Sequence, residues 1–142
     1  MFGLIGKFKK ALRTLDKAKD APLAKAICAG GVLMAAADGN IASEEVESLK
    51  NVLADKDNMK AFSGEVGGWI DDRALQISRS AYTGKLALNK ELEAVSGNRE
   101  AALEVLAAVM DVAYADGDFS DAEQACADSI AKKLGVSLKD LG

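Results

Sequence analysis

Apolar residues recur at spacings of three and four along most of the chain, and strand-like alternation is nowhere sustained. That is the pattern of amphipathic helices. Leu4, Phe8, Leu12 and Leu15 mark a first helix over 2–19, with lysines on its other faces. Asp20-Ala21-Pro22 predicts a boundary, because proline suits the first turn of a new helix. That helix runs to about Ala37, with Leu23, Ile27 and Met34 on its core side. Its Gly30-Gly31 pair predicts a close helix crossing or a kink. Residues 43–54 read as a helix with Val46, Leu49, Val52 and Leu53 inward, and 55–62 as a polar connection. A further helix spans about 63–82, with Val66, Trp69, Ile70, Leu75, Ile77 and Tyr82 on its apolar side and Trp69 in the core. Thr83-Gly84 reads as a turn and 86–95 as a helix. Asn98 reads as the N-cap of a long helix to Ala115, and the last long helix spans 121–134, stopped by Gly135, with a short turn behind Ser137. The expectation is an all-α fold: a single helical domain of about seven helices with two pseudo-symmetric helical hairpins, at about 22–56 and 99–134.

A short acidic turn joins the helices of each hairpin. The first copy is Ala37-Asp38-Gly39-Asn40-Ile41-Ala42-Ser43-Glu44-Glu45, and the second is Ala115-Asp116-Gly117-Asp118-Phe119-Ser120-Asp121-Ala122-Glu123. Gly39 and Gly117 stand where a helix ends, at the position that favours a left-handed residue. Ser120 and Glu123 form a capping box. Copy one keeps Glu45 but has Ala42 at the cap, which costs about 1 kcal/mol unless its helix starts one residue later. Ile41 and Val46 are spaced for a hydrophobic staple.

Composition narrows the chemistry. Abundant alanine, leucine, lysine and glutamate with a single proline suit helices. Histidine is absent from the 142 residues, which removes it as a base or metal ligand. Cys28 and Cys126 both fall in helices beside apolar neighbours and read as buried free thiols. The net charge of −4 divides unevenly: seven cations against two acids in residues 1–25, and eleven against twenty in the rest. The acidic body repels nucleic acid. The basic arm suits the protein's own body, an anionic membrane surface or an acidic partner. The longest apolar run, 26–37, is too short to span a bilayer, and Lys7 interrupts any signal-peptide core. Walker, Rossmann, Gly-x-Ser-x-Gly and Cys-x-x-Cys patterns are missing, so the chain reads as non-enzymatic.

The candidate site is the duplicated set of oxygens. If the hairpins pack about a pseudo-twofold axis, Asp38, Glu45, Asp116 and Glu123 converge, with Asn40 and Asp118 beside them. Such a set raises its own pKa values or binds a cation, and oxygen ligands favour Ca²⁺, Mg²⁺ or Mn²⁺. The competing reading is capping: Glu45 and Glu123 sit at N3, where acids are favoured. Asp38 and Asp116 oppose the dipole at helix C-termini and have no such account. An EF-hand fails on register, since Ser43 and Asp121 occupy the required glycine position, and Leu49 and Ala127 the bidentate glutamate position. Asp111 reads as half-exposed, or else as an extension of the acidic cluster.

The doubled Ala-Asp-Gly-x-apolar-Ser/Ala-x-x-Glu element, in an all-helical chain with a lysine-rich start, resembles the bacterial tellurite resistance protein TerB family. That family includes the acidic helical domain at the N-terminus of the membrane-tethered DnaJ-like protein DjlA. The resemblance covers 4–138 and departs at Ala42, where the family has serine. It implies a non-enzymatic stress-response component with protein partners, other tellurium-resistance proteins among them. It also implies paired acids that bind divalent metal or a partner, at Asp38 and Glu45 opposite Asp116 and Glu123. A cytoplasmic location follows, with the inner face of the inner membrane as a further option.

Overall fold

The computed structural model describes residues 15–142 apart from 18, 116 and 118. The helix expected over 2–19, with its basic face, therefore lies almost entirely outside the described residues, as do Asp116 and Asp118 of the candidate site. Among the described residues the fold is all-α. Six α-helices follow one another: α1 (Ala21–Ala35), α2 (Ser43–Ala54), α3 (Val66–Arg79), α4 (Ala81–Ala94), α5 (Arg99–Tyr114) and α6 (Asp121–Leu134). Short 3₁₀ turns occupy Asp57–Phe62 and Leu138–Leu141.

The fold is built around α1, which packs against each of the other five α-helices. Eleven of its fifteen residues are buried, as an apolar run without a polar face requires. The glycine pair is what lets neighbours approach. A Cβ on Gly30 would lie 2.5 Å from Val109 Cγ2 of α5, and one on Gly31 would lie 2.8 Å from Leu49 Cδ1 of α2. Of the two outcomes expected for this pair, the close crossing is the one found.

Local chemistry sets most of the helix ends. Asn98 Oδ1 accepts from the Ala101 N–H at 3.1 Å and caps α5. Gly135 is left-handed at φ 79° and closes α6, where Lys132 and Lys133 suit the negative end of the dipole. The 43–54 helix has the expected limits.

Two expectations are corrected. Residues 55–62 are not simply a polar connection: Met59 and Phe62 are buried, because a 3₁₀ turn eclipses residues three apart and points both at the core. The helix expected to reach Tyr82 ends at Arg79. Ser80 is extended, and α4 starts at Ala81 with Thr83 and Gly84 inside it. Gly84 serves a contact rather than a turn, since a Cβ there would lie 2.7 Å from the Gln76 carbonyl oxygen of α3. Tyr82 is consequently 90% exposed, and Leu75 is 47% exposed on the outer side of α3.

α3 and α4 are also tied by charge. The buried Arg73 Nε donates to Glu91 Oε2 at 2.9 Å, its second terminal nitrogen pairs with Glu91 Oε1, and its first donates to the Trp69 carbonyl at 3.0 Å. Trp69 packs on the core, as expected, with its ring 5.5 Å from that of Phe62 and the Lys25 ammonium 5.5 Å from its centroid. None of the helices among the described residues is long and apolar enough to cross a membrane.

Candidate functional site

Each duplicated turn is formed by backbone requirements that its sequence satisfies. Gly39 has φ 103° and Gly117 φ 77°, a region that penalises a Cβ. A Cβ at either would meet nothing within 4 Å, so conformation rather than space selects glycine. The Gly39 N–H donates to the Ala36 carbonyl at 2.9 Å, and the Gly117 N–H to the Tyr114 carbonyl at 3.1 Å. In the first turn, Asp38 Oδ1 accepts from the Asn40 N–H at 3.3 Å.

The next helix then begins with a glutamate reaching back. Glu45 Oε1 accepts from the Ala42 N–H at 3.0 Å, and Glu123 Oε1 accepts from the Ser120 N–H at 2.9 Å. Copy two adds the reciprocal bond from the Glu123 N–H to Ser120 Oγ at 3.1 Å, which Ala42 cannot supply. Copy two also carries a stacked aromatic pair, Tyr114 and Phe119, with ring centroids 4.8 Å apart. The corresponding positions in copy one are Ala36 and Ile41.

The packing of α1–α2 against α5–α6 brings the two turns to one cavity of about 300 Å³. Asp38, Glu44, Glu45, Ser120 and Glu123 line it together with Met34, Leu49, Val52 and Val112. Three of the sequence-predicted residues, Asp38, Glu45 and Glu123, therefore share one site. Asn40 is exposed and is not among the lining residues. Asp111 is exposed and pairs with Lys56, away from the cavity lining.

Glu44 and the apolar lining were not anticipated. Glu44 has no acidic counterpart in copy two, where Ala122 stands, so the repeat did not point to it. None of Asp38, Glu44, Glu45 and Glu123 pairs with a cation among the described residues. Among the same residues no three His, Cys, Asp or Glu side chains stand close enough together to hold a metal ion. Glu45 and Glu123 each commit one oxygen to a helix N-terminus. The described residues alone therefore do not form a cation cage.

The cysteines are free, Cys28 buried and Cys126 half-buried. Burial pushes the Cys28 thiol up to about 12 and that of Cys126 up to about 11. Cys126 Sγ also contacts the Leu33 carbonyl at 3.4 Å. Thiols held in the neutral form are poor nucleophiles.

The family model for the tellurite resistance protein TerB matches residues 24–142. The chain belongs to the TerB family. The match takes in both acidic turns and nearly all of the six-helix bundle. No curated protein and no solved structure matches the chain. TerB membership supports a stress-resistance role of a non-catalytic kind.

Proposed function

We propose that this TerB-family chain is a non-enzymatic tellurite- and stress-resistance component that acts as an acidic protein-interaction module. The pocket between its duplicated turns receives a segment of a partner, such as another tellurium-resistance protein. The observation that carries the reading is the meeting of both turns at one pocket, where four carboxylates that pair with no cation among the described residues lie over apolar side chains. Apolar surface supplies the driving force for docking. Unpaired acids select a segment carrying lysine or arginine beside its apolar residues. A photo-crosslinking residue in place of the exposed Ser48, which lines the pocket, tests this in stressed cells. A discrete protein adduct is expected that survives chelation and is lost on Glu123→Lys. No adduct, or one indifferent to Glu123→Lys, refutes the docking.

A divalent-cation-binding regulatory role is the second reading. It is favoured by Asp38, Glu45 and Glu123 sharing the pocket, with Asn40, Asp116 and Asp118 as the remaining oxygens of the duplicated turns. Ca²⁺, Mg²⁺ or Mn²⁺ would suit such donors. Calorimetric titration of metal-free protein separates the two readings. Saturable binding that vanishes in Asp38→Ala with Asp116→Ala supports the cation, and no binding by any of the three ions removes it.

A further inference from the structure

Two surfaces of opposite charge lie at the same end of the bundle. One is the acid-rimmed pocket. The other is the N-terminal half of α4, where Tyr82 and Leu86 stand four residues apart and so share a helix face. At 90% and 55% exposed they are the most exposed large apolar side chains among the described residues. Residues 79–90 hold three cations, Arg79, Lys85 and Lys90, and no acid. All three cations are exposed, and none pairs with an acid among the described residues. Unpaired cations beside exposed apolar groups are the chemistry that the pocket lacks.

The placement of α4 puts the two surfaces toward the same end of the bundle. α4 packs on α6. At their C-terminal ends Glu93 meets Lys133 at 3.8 Å. Toward their N-terminal ends Lys85 is close enough for its charge to bear on Cys126, one turn beyond Glu123. The two helices therefore run parallel, and Tyr82 and Leu86 sit toward the end where α6 begins and the pocket opens. In a twofold dimer a patch of one copy meets a second patch of the other and the reverse contact repeats it, so complementary patches at one end of the molecule suit such a pairing.

We propose that the protein self-associates as a twofold dimer, with the Tyr82–Leu86 face of each copy seated on the other's pocket and Arg79 and Lys85 set against Glu44 and Glu123. The proposal rests on the pocket's affinity for basic, apolar segments inferred above, and it makes a second copy the competitor of a partner protein. A volume of about 300 Å³ is at the small end of ligand pockets, a size for a side chain rather than a cofactor.

Sedimentation velocity on the full chain, from micromolar to near-millimolar concentration and at low and high salt, tests it. A monomer–dimer equilibrium weakened by salt is expected. Tyr82→Ser, Lys85→Glu and Glu44→Lys should each weaken the dimer at least about tenfold, with unchanged thermal unfolding to show that the fold is intact. The decisive arm mixes the Lys85→Glu and Glu44→Lys proteins. In the mixed dimer every Lys–Glu opposition is restored, at one interface in reversed order, so equimolar mixing should recover the wild-type dimer. A monomer at all concentrations, a dimer indifferent to all three changes, failure of the mixture to associate, or growth beyond a dimer overturns the proposal. Tyr82 and Lys85 lie outside the pocket. Crosslinking from Ser48 to a protein other than this chain therefore persists in their variants if the docking reading holds; if that reading fails, wild type gives at most an adduct with a second copy of itself.

Discussion

Gly30→Ala is the most direct probe of how α1 is held. In a helix interior alanine is favoured over glycine by about 1 kcal/mol, so propensity alone makes this substitution stabilising. The contact says otherwise. The new methyl would lie 2.5 Å from Val109 Cγ2, with Leu92 Cδ2 and Val105 Cγ1 already at 3.7 Å. Carbon pairs are comfortable at about 3.5–4.0 Å. Val109 is fully buried, and a β-branched residue in a helix has essentially one rotamer to offer. Overpacking costs about 1–3 kcal/mol, and an approach roughly 1 Å inside contact puts this site at about 2–3, so after the gain in propensity Gly30→Ala is less stable than wild type by about 1–2 kcal/mol. Gly68→Ala is the matched control: a Cβ there meets nothing within 4 Å, and the helix gains up to about 1 kcal/mol. Urea unfolding at constant m should separate the two alanines by on the order of 1–2 M in midpoint. Val109→Ala on its own leaves a cavity worth about 2 kcal/mol. Combined with Gly30→Ala it removes the clash and partly fills the cavity, so the double variant should be more stable than additivity predicts by at least about 1 kcal/mol. A Gly30→Ala protein as stable as wild type, or an additive cycle, would refute the close crossing.

The two caps give a paired prediction. Ala42→Ser should supply the missing half of the first capping box and stabilise by about 1 kcal/mol, while Ser120→Ala should remove it from the second and cost about the same; chemical unfolding reads both, and equal stability of all three proteins would contradict the cap geometry. The thiols give a pH prediction. Both folded values lie above the usual thiol range, at about 12 for Cys28 and about 11 for Cys126, so their neutral forms contribute stability that is complete below about pH 8.5. That contribution is lost as pH rises toward 11 and 12. Ellman's reagent at pH 8 should label the native protein roughly a hundredfold more slowly than the denatured chain, Cys126 before Cys28, and fast native labelling would overturn the assignment.

What could be read ahead of the structure was whatever depended on neighbours in sequence. Asn98, Ser120 and Glu123 cap through residues three positions away, and Gly135 stops α6 by its own backbone conformation, so single-strand chemistry sufficed. The duplicated acids of the pocket were visible for the same reason. What escaped depended on distant packing. The pairs Gly30-Gly31 and Gly67-Gly68 are spelled alike, yet only the first is closely approached by side chains, and these come from three other helices. Gly84 resembles a turn residue until the α3 backbone is set against it. Glu44 becomes a lining residue only once α5–α6 docks on α1–α2, and the apolar lining, split among α1, α2 and α5, has no linear signature at all. Asp111, poised between half-exposure and the acidic cluster, is decided by Lys56 from the α2 side.

A helix enclosed by all its neighbours has a history as well as a place. α1 is made early, but α4, α5 and α6, which cover much of it, lie at 81–134. At about 5–20 residues per second during synthesis, its apolar surface waits on the order of ten seconds after leaving the ribosome before the chain that shields it exists. Over that interval the segment is a natural client for a chaperone. A slowed ribosome or a truncated message would lengthen the wait and favour aggregation, although the finished fold buries most of the hazard.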